Sequence, residues 1–276
     1  MNYLERFKVS PGTKVKLKKF DPSFKDGHEG RKSALEEIAK YQAKLCELQD
    51  VLYAERKHSL LICLQAMDTG GKDGTINHVL SAMNPQGCRV AAFKEPSAEE
   101  LAHDFLWRVH KAAPANGEVV IFNRSHYEDV LVVRVHNLVP KDVWSLRYDQ
   151  INAFEKGLAE HDTQILKFYL HISKAEQLKR FKQRLDTPSK YWKISEADYT
   201  ERGYWNDYVA AYEEALSRCS TEHAPWFIIP ANHKWFRDLA IARIVVEHLE
   251  TLKMKYPKPT VDLAHIRREY HAAQDA

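Results

Sequence analysis

The chain has 276 residues, of which 44% are hydrophobic, and a formal net charge of +3. That suits one large α/β domain, or a domain with an insertion, with a sizeable core, and no apolar run approaches the ~18 residues of a membrane span. Four widely spaced cysteines (Cys46, Cys63, Cys88, Cys219) and fourteen scattered histidines lack metal-ligand pairing, so reduced thiols in a cytoplasmic protein are expected, without a disulfide framework or a zinc site. No apolar h-region follows Met1–Arg6, so no signal peptide is expected.

Residues 1–32 read as an irregular basic arm, with Lys14, Lys16, Lys18 and Lys19 close together. Leu35, Ile38, Tyr41, Leu45, Leu48 and Leu52 recur at spacings of three and four, which predicts a helix over 33–55 with a core-facing stripe. The apolar run 60–64 predicts a buried strand, and Ile76, Val79, Leu80 and Met83 mark a helix beyond it. Cys88–Phe93 reads as a second strand. Ser97 with Glu100 three residues on is a capping-box pattern, opening a helix to about His110. Val119–Phe122 is a short strand, 141–160 a helix and Thr163–Ile172 a strand. The segment 174–193 is helical at its start. Tyr199–Ser217 is a helix beginning near Asp198, Trp226–Ile229 a last strand ending at Pro230, and 235–254 a long helix. Strands alternating with helices predict a parallel sheet covered on both faces, with ligands bound at the C-terminal ends of the strands.

Between the first strand and its helix lies Gln65-Ala66-Met67-Asp68-Thr69-Gly70-Gly71-Lys72-Asp73-Gly74-Thr75. Glycines let successive N–H groups converge on an anion, and the helix N-terminus and Lys72 add positive charge. Against the G-x-x-x-x-G-K-[ST] pattern, Ala66 replaces the first glycine and Asp73 fills the Ser/Thr slot. A carboxylate in such a loop repels phosphate by about 4 kcal/mol at 4 Å and an effective dielectric near 20. A divalent cation between them reverses the sign. Asp68 is therefore the first candidate for a Mg²⁺ ligand and Asp73 the second, the alternative for Asp73 being an acid of the helix's first turn.

The strand-end rule also singles out Asn123, Arg124 and Glu128. Asn123 takes the place where an aspartate often serves the metal. Arg124 can fork onto phosphate, or form a surface ion pair. Glu128, a helical turn on, can hold a second metal, orient an acceptor, or pair with Arg124 or Arg134. His126 reads as structural. Between Lys174 and Lys193 seven cations face two acids. Arg180 and Arg184 stand at i, i+4 there, a basic face that is either solvated or closes over phosphate. Such charge calls for an acidic ligand: a nucleotide, an inorganic phosphate chain or nucleic acid.

With Asn84-Pro85-Gln86-Gly87, Phe122-Asn123-Arg124-Ser125-His126-Tyr127-Glu128 and Pro230-Ala231-Asn232-His233-Lys234-Trp235 beside the glycine loop, the sequence closely resembles the family-2 polyphosphate kinases, most of all the class III members that act on AMP and ADP. The resemblance runs from about residue 30 to 257. It implies an α/β fold, a P-loop kinase-like parallel sheet flanked by helices like that of thymidylate kinase, with a helical lid at about 174–215 in a single domain, 1–276. It implies reversible transfer of the terminal phosphate of inorganic polyphosphate to adenine nucleotides, with Mg²⁺ or Mn²⁺. Lys72, Asp68 and Arg124 would be catalytic. Gly70, Gly71, Lys72, Asp73, Arg124, Arg134, Arg180 and Arg184 would bind phosphate, Asn123 and Glu128 nucleotide, and Asp68 and Glu128 metal. Gly70 departs from the alanine common there, with little consequence expected because glycine keeps its N–H. A homo-oligomer is expected, with no membrane or nucleic-acid partner. The rival readings are an ATP-dependent nucleoside monophosphate kinase and a non-enzymatic nucleic-acid binder.

Overall fold

The computed structural model describes residues 2–28 and 30–274. Five strands form its centre: β1 (Ser59–Ala66), β2 (Cys88–Ala92), β3 (Val119–Asn123), β4 (Thr163–His171) and β5 (Trp226–Pro230). Every pairing is parallel, in the order β2-β3-β1-β4-β5. β1 is buried along its whole length, as the unbroken apolar runs of strands covered on both faces require. Its side chains divide by period two. Leu60, Ile62 and Leu64 enter the larger core, while Leu61 and Cys63 join Val120, Phe122 and Ile165 in a smaller one on the opposite face.

Twelve helices carry the connections among the described residues: α1 (Tyr3–Phe7), α2 (Arg31–Glu55), α3 (Lys72–His78), α4 (Ala98–Leu101), α5 (Trp107–Ala112), α6 (Val132–Val135), α7 (Lys141–Ala159), α8 (Lys174–Leu185), α9 (Glu196–Gly203), α10 (Trp205–Arg218), α11 (Lys234–Thr251) and α12 (Leu263–Gln274). β1 sits between β3 and β4, and the strand order turns there. Leu64 is level with Asn123, and Ala66 with Leu170. The loops leaving β1 and β3 therefore meet at one end of the sheet.

Several elements depart from the sequence reading. The N-terminal arm is not irregular throughout. Tyr3 and Phe7 of α1 are buried against Phe236, Lys8 bridges Phe227 across the edge of β5, and Val15 and Leu17 are buried. Met1 and Glu29 of that arm lie outside the described residues, as do Asp275 and Ala276. The helix expected over 97–110 is two pieces. Ser97 and Glu100 do form the capping box of α4, but the Asp104 carboxylate accepts from the Leu106 N–H at 2.9 Å and starts a new turn before α5. The helix expected over 199–217 is α9 and α10, broken at Gly203–Tyr204, where glycine weakens helix continuity.

Candidate active site

β1 runs into the glycine loop, and Lys72 is the first residue of α3. Gly71 has φ +110°, a conformation that L side chains rarely adopt, and a Cβ there would fall 1.8 Å from Arg237 Nη1. The loop therefore needs glycine at this position for two reasons. A Cβ on Gly70 would meet the Ala66 Cβ at 2.4 Å and the Met67 carbonyl oxygen at 2.8 Å. The alanine–glycine exchange at position 70 is thus not neutral in this backbone, because the methyl group of Ala66 already fills the space. Thr69 Oγ1 in the loop is buried without a hydrogen-bond partner.

Arg124 leaves the end of β3 with φ +61°, a left-handed conformation that costs a non-glycine residue about 1–3 kcal/mol. Its N–H donates to the Leu64 carbonyl at 3.2 Å, which ties the two strand ends together. Its guanidinium lies between two acids, 3.4 Å from Asp68 Oδ1 and 3.2 Å from Glu128 Oε2. Those carboxylates hold Arg124 above the usual arginine range, Glu128 most of all, against the opposing effect of burial. Burial pushes the Lys72 ammonium below the usual lysine range, and Arg124 adds to this, while Asp68, Glu128 and Asp73 pull it back. Asn123 donates to Asp73 Oδ1 at 2.9 Å, so the residue in the usual aspartate place and the carboxylate in the Ser/Thr place hold each other. Lys72, Asp68, Asp73, Asn123, Arg124 and Glu128 form one neighbourhood at the sheet's C-terminal edge.

The other three arginines lie differently. Arg180 is 4% exposed. Its Nη1 donates to the carbonyls of Thr69 (2.8 Å) and Gly70 (3.0 Å), its Nη2 to those of Ala231 and Asn232, and its Nε to Glu176 (2.8 Å). It clamps the glycine loop to the end of β5 rather than pointing into the cleft. Arg184 is tied to the Lys193 carbonyl and lies 3.6 Å from Asp198. Arg134 donates to Tyr148 at 3.1 Å and Glu214 at 2.5 Å and stacks on Trp144. His126 is fully buried and bonded to Glu155 at 3.0 Å, in keeping with a structural part.

The polyphosphate kinase 2 family model matches residues 29–257. The chain belongs to the polyphosphate kinase 2 family. It is 52% identical over 257 residues to a Meiothermus ruber protein named AMP/ADP-polyphosphate phosphotransferase, spanning 93% of this chain and 96% of that one. It is 45% identical to the ADP-polyphosphate phosphotransferase of Rhodopseudomonas palustris, over 93% of each chain. Among solved structures, polyphosphate kinase 2 from Arthrobacter aurescens superposes with a TM-score of 0.94 at 44% identity, spanning 99% of this chain and 97% of that one. The P-loop kinase-like sheet of the family is the sheet described above.

In this polyphosphate kinase 2 member a cleft of about 200 Å³ opens beside the loop. Part of its wall comes from residues that sequence reasoning missed: Gln177, Arg202, Tyr208 and Tyr212. Gln177 donates to the Asp68 carbonyl at 3.1 Å and accepts from Arg202 at 2.9 Å. Arg202 also donates to the Lys174 carbonyl at 2.7 Å, so α9 reaches the loop through α8. The only signal in the sequence was their proximity to the basic segment. For a metal, the donor set is all oxygen: Asp68 and Glu128, with Asp73 and Asn123 beside them. No group of three or more His, Cys, Asp or Glu among the described residues is placed to hold an ion alone. This fits a small hard cation that takes one or two carboxylates and fills its shell from phosphates and water. It does not fit a site caged entirely by protein. No helix among the described residues is long and apolar enough to cross a membrane.

Proposed function

We propose that the protein transfers the terminal phosphate of inorganic polyphosphate to AMP and ADP, reversibly. The observation that carries this reading is the joining of Lys72, Arg124 and two carboxylates at the ends of β1 and β3, within a chain matched to the family over residues 29–257. Lys72 and the loop N–H groups hold the transferring phosphate. Arg124 turns its fork from Asp68 and Glu128 to the phosphate oxygens, because a bidentate arginine–phosphate contact replaces two rather long ion pairs. Asp68 and Glu128 would then be free to hold Mg²⁺ or Mn²⁺, which would supply charge neutralisation for the reacting phosphates. Asn123 keeps the Asp73 carboxylate bonded and away from the incoming phosphate.

Transfer between phosphates needs positioning and charge more than covalent help. No side chain here is required as a nucleophile. Gln177 and Arg202 link the loop to the segment 174–215, which acts as the lid that excludes water around the reacting phosphate. The test is a purified-protein assay with AMP or ADP, polyphosphate and Mg²⁺, without other nucleotide. Formation of ADP or ATP that depends on polyphosphate is the expected result. Phosphorylation of AMP only when ATP is the donor would establish the nucleoside monophosphate kinase reading instead.

A further inference from the structure

The arginines of the segment 174–215 are not equally free. Arg180 is committed to main-chain carbonyls and Glu176, and Arg184 to the Lys193 carbonyl and Asp198. Arg202, on α9, differs from both. It stands in the wall of the cleft, and no carboxylate among the described residues pairs with it. Its neighbour in sequence, Glu201, is turned to other partners: it accepts from the Tyr208 hydroxyl at 2.7 Å and bonds His136 Nε2 at 3.1 Å. The other arginine of the wall, Arg124, lies between Asp68 and Glu128. Arg202 is therefore the cleft arginine whose charge the protein leaves unanswered.

The position of Arg202 is fixed all the same. Both hydrogens of its Nη1 are used, one on the Lys174 carbonyl at 2.7 Å and one on the Gln177 side-chain oxygen at 2.9 Å. Gln177 is buried, and its amide donates to the Asp68 carbonyl at 3.1 Å. A buried relay thus sets the guanidinium relative to the glycine loop. What remains is the Nε–Nη2 edge, two parallel N–H donors spaced for two oxygens of one phosphate. A fork already held in place loses little freedom when its ligand arrives, which favours affinity.

The rest of the wall points to the molecule that carries this phosphate. Trp205 and Tyr208 follow Arg202 in the chain and join Leu131 and Val132 in the same lining. Apolar and aromatic side chains suit a base and its ribose, whereas a bare phosphate chain gains nothing from them. We propose that Arg202 binds the phosphate joined to the ribose of the acceptor nucleotide, through its Nε–Nη2 edge. AMP and ADP have that phosphate in common, so one residue serves both. The assignment rests on the phosphotransferase reading for the identity of the acceptor. It replaces Arg180 and Arg184, whose donors are occupied within the protein, as the phosphate-binding cation of the lid.

The test compares dissociation constants for AMP, ADP and adenosine in the intact protein, wild type and Arg202→Gln, by nuclear magnetic resonance titration, which reads weak binding as well as tight. The variant should lose roughly tenfold or more for AMP and for ADP, the scale of a lost charge-assisted fork, and less than about twofold for adenosine. Arg202→Lys keeps the charge without the fork and should fall between. In turnover the KM for the acceptor should rise while that for polyphosphate stays near wild type. An equal loss for adenosine and AMP overturns the proposal, because Arg202 would then act only by holding the lid in place. Unchanged affinity for all three ligands overturns it too, as does a rise confined to the KM for polyphosphate, which would put Arg202 on the donor chain. The titrations contain no polyphosphate, so a failed donor assay counts against the proposed function and not against this assignment.

Discussion

Two charged clusters sit on neighbouring parts of the sheet and have opposite characters. In the first, Lys167, Glu155, His126 and Tyr127 are all fully buried. Lys167 donates to Glu155 (2.5 Å), Tyr127 (2.8 Å) and the Cys219 carbonyl (2.6 Å), and Glu155 also accepts from His126 and Tyr127. In the second, Asp68, Arg124 and Glu128 line the cleft, with Lys72 close by at the start of α3. Its ion pairs are longer, and Arg124 and Asp68 keep 42% and 29% of their side chains exposed. The closed cluster satisfies its charges from within the protein and so fixes structure. The open cluster leaves its charges partly exposed, and under the proposed function a phosphate and a cation complete them. The same turn, 125–130, joins them: His126 and Tyr127 enter the closed cluster, and Glu128 emerges in the open one.

The largest expected effect comes from breaking the closed cluster. Lys167→Met leaves Glu155 buried without its cation and should cost about 3–5 kcal/mol of stability, the scale of a broken buried ion pair, measured by urea unfolding. Lys72→Ala should do the reverse. It should leave the unfolding midpoint close to wild type and lower kcat/KM for polyphosphate by roughly 10²-fold or more, the scale of losing a preorganised charge. If Lys72→Ala is folded and near-normal in rate, the glycine loop is not the phosphate site.

Arg180→Gln sharpens the contrast, because a residue read from sequence as a lid cation turns out to belong with the closed kind. Stability should fall by about 1–3 kcal/mol from the lost bonds to buried carbonyls. Loss of polyphosphate affinity at unchanged stability would instead return Arg180 to the lid. Asp68→Asn should raise the Mg²⁺ concentration needed for half-maximal rate, with little change in stability. An unaltered metal requirement would pass that part to Asp73 or Glu128.

The smallest effect is a pH dependence. Burial holds His126 and His171 below the usual histidine range and pushes His248 down to about 4, and the bond from Glu155 to His126 only partly offsets this. These histidines fold in the neutral form. Their contribution is full above the unfolded value of about 6.5 and is lost as pH falls below it, by at most about 1.4 kcal/mol per histidine per pH unit. Thermal melts should therefore fall between pH 7.5 and 5, and a flat profile would mean that these rings stay solvated. Glu155 is held below its ordinary range by Lys167 and the bond from His126, against burial. Its contribution persists to lower pH and is lost only as pH falls through that depressed value.

The central strands were legible because buried parallel strands are continuous apolar runs, and the open cluster was legible because its residues stand at strand ends. The closed cluster was only half visible. His126 read as structural, but Glu155 and Lys167 sit in a helix and a strand with nothing local to link them. The clamp at Arg180 was hidden for a similar reason. Its acceptors are carbonyls of Thr69, Gly70, Ala231 and Asn232, which only the completed sheet brings together. The N-terminal arm hid its anchors because Tyr3 and Phe7 make a single i, i+4 pair and Val15 and Leu17 a single i, i+2 pair, each too short to stand out as a period.

A Cβ at position 70 would meet the Ala66 Cβ at 2.4 Å and the Met67 carbonyl oxygen at 2.8 Å. Removing the methyl group of Ala66 would clear only the first of these contacts, because the second is made by the main chain. The same carbonyl accepts from the Gly70 N–H at 2.9 Å. Alanine at position 70 therefore asks the turn itself to move, and a loop that carries it presents its N–H groups from a shifted main chain.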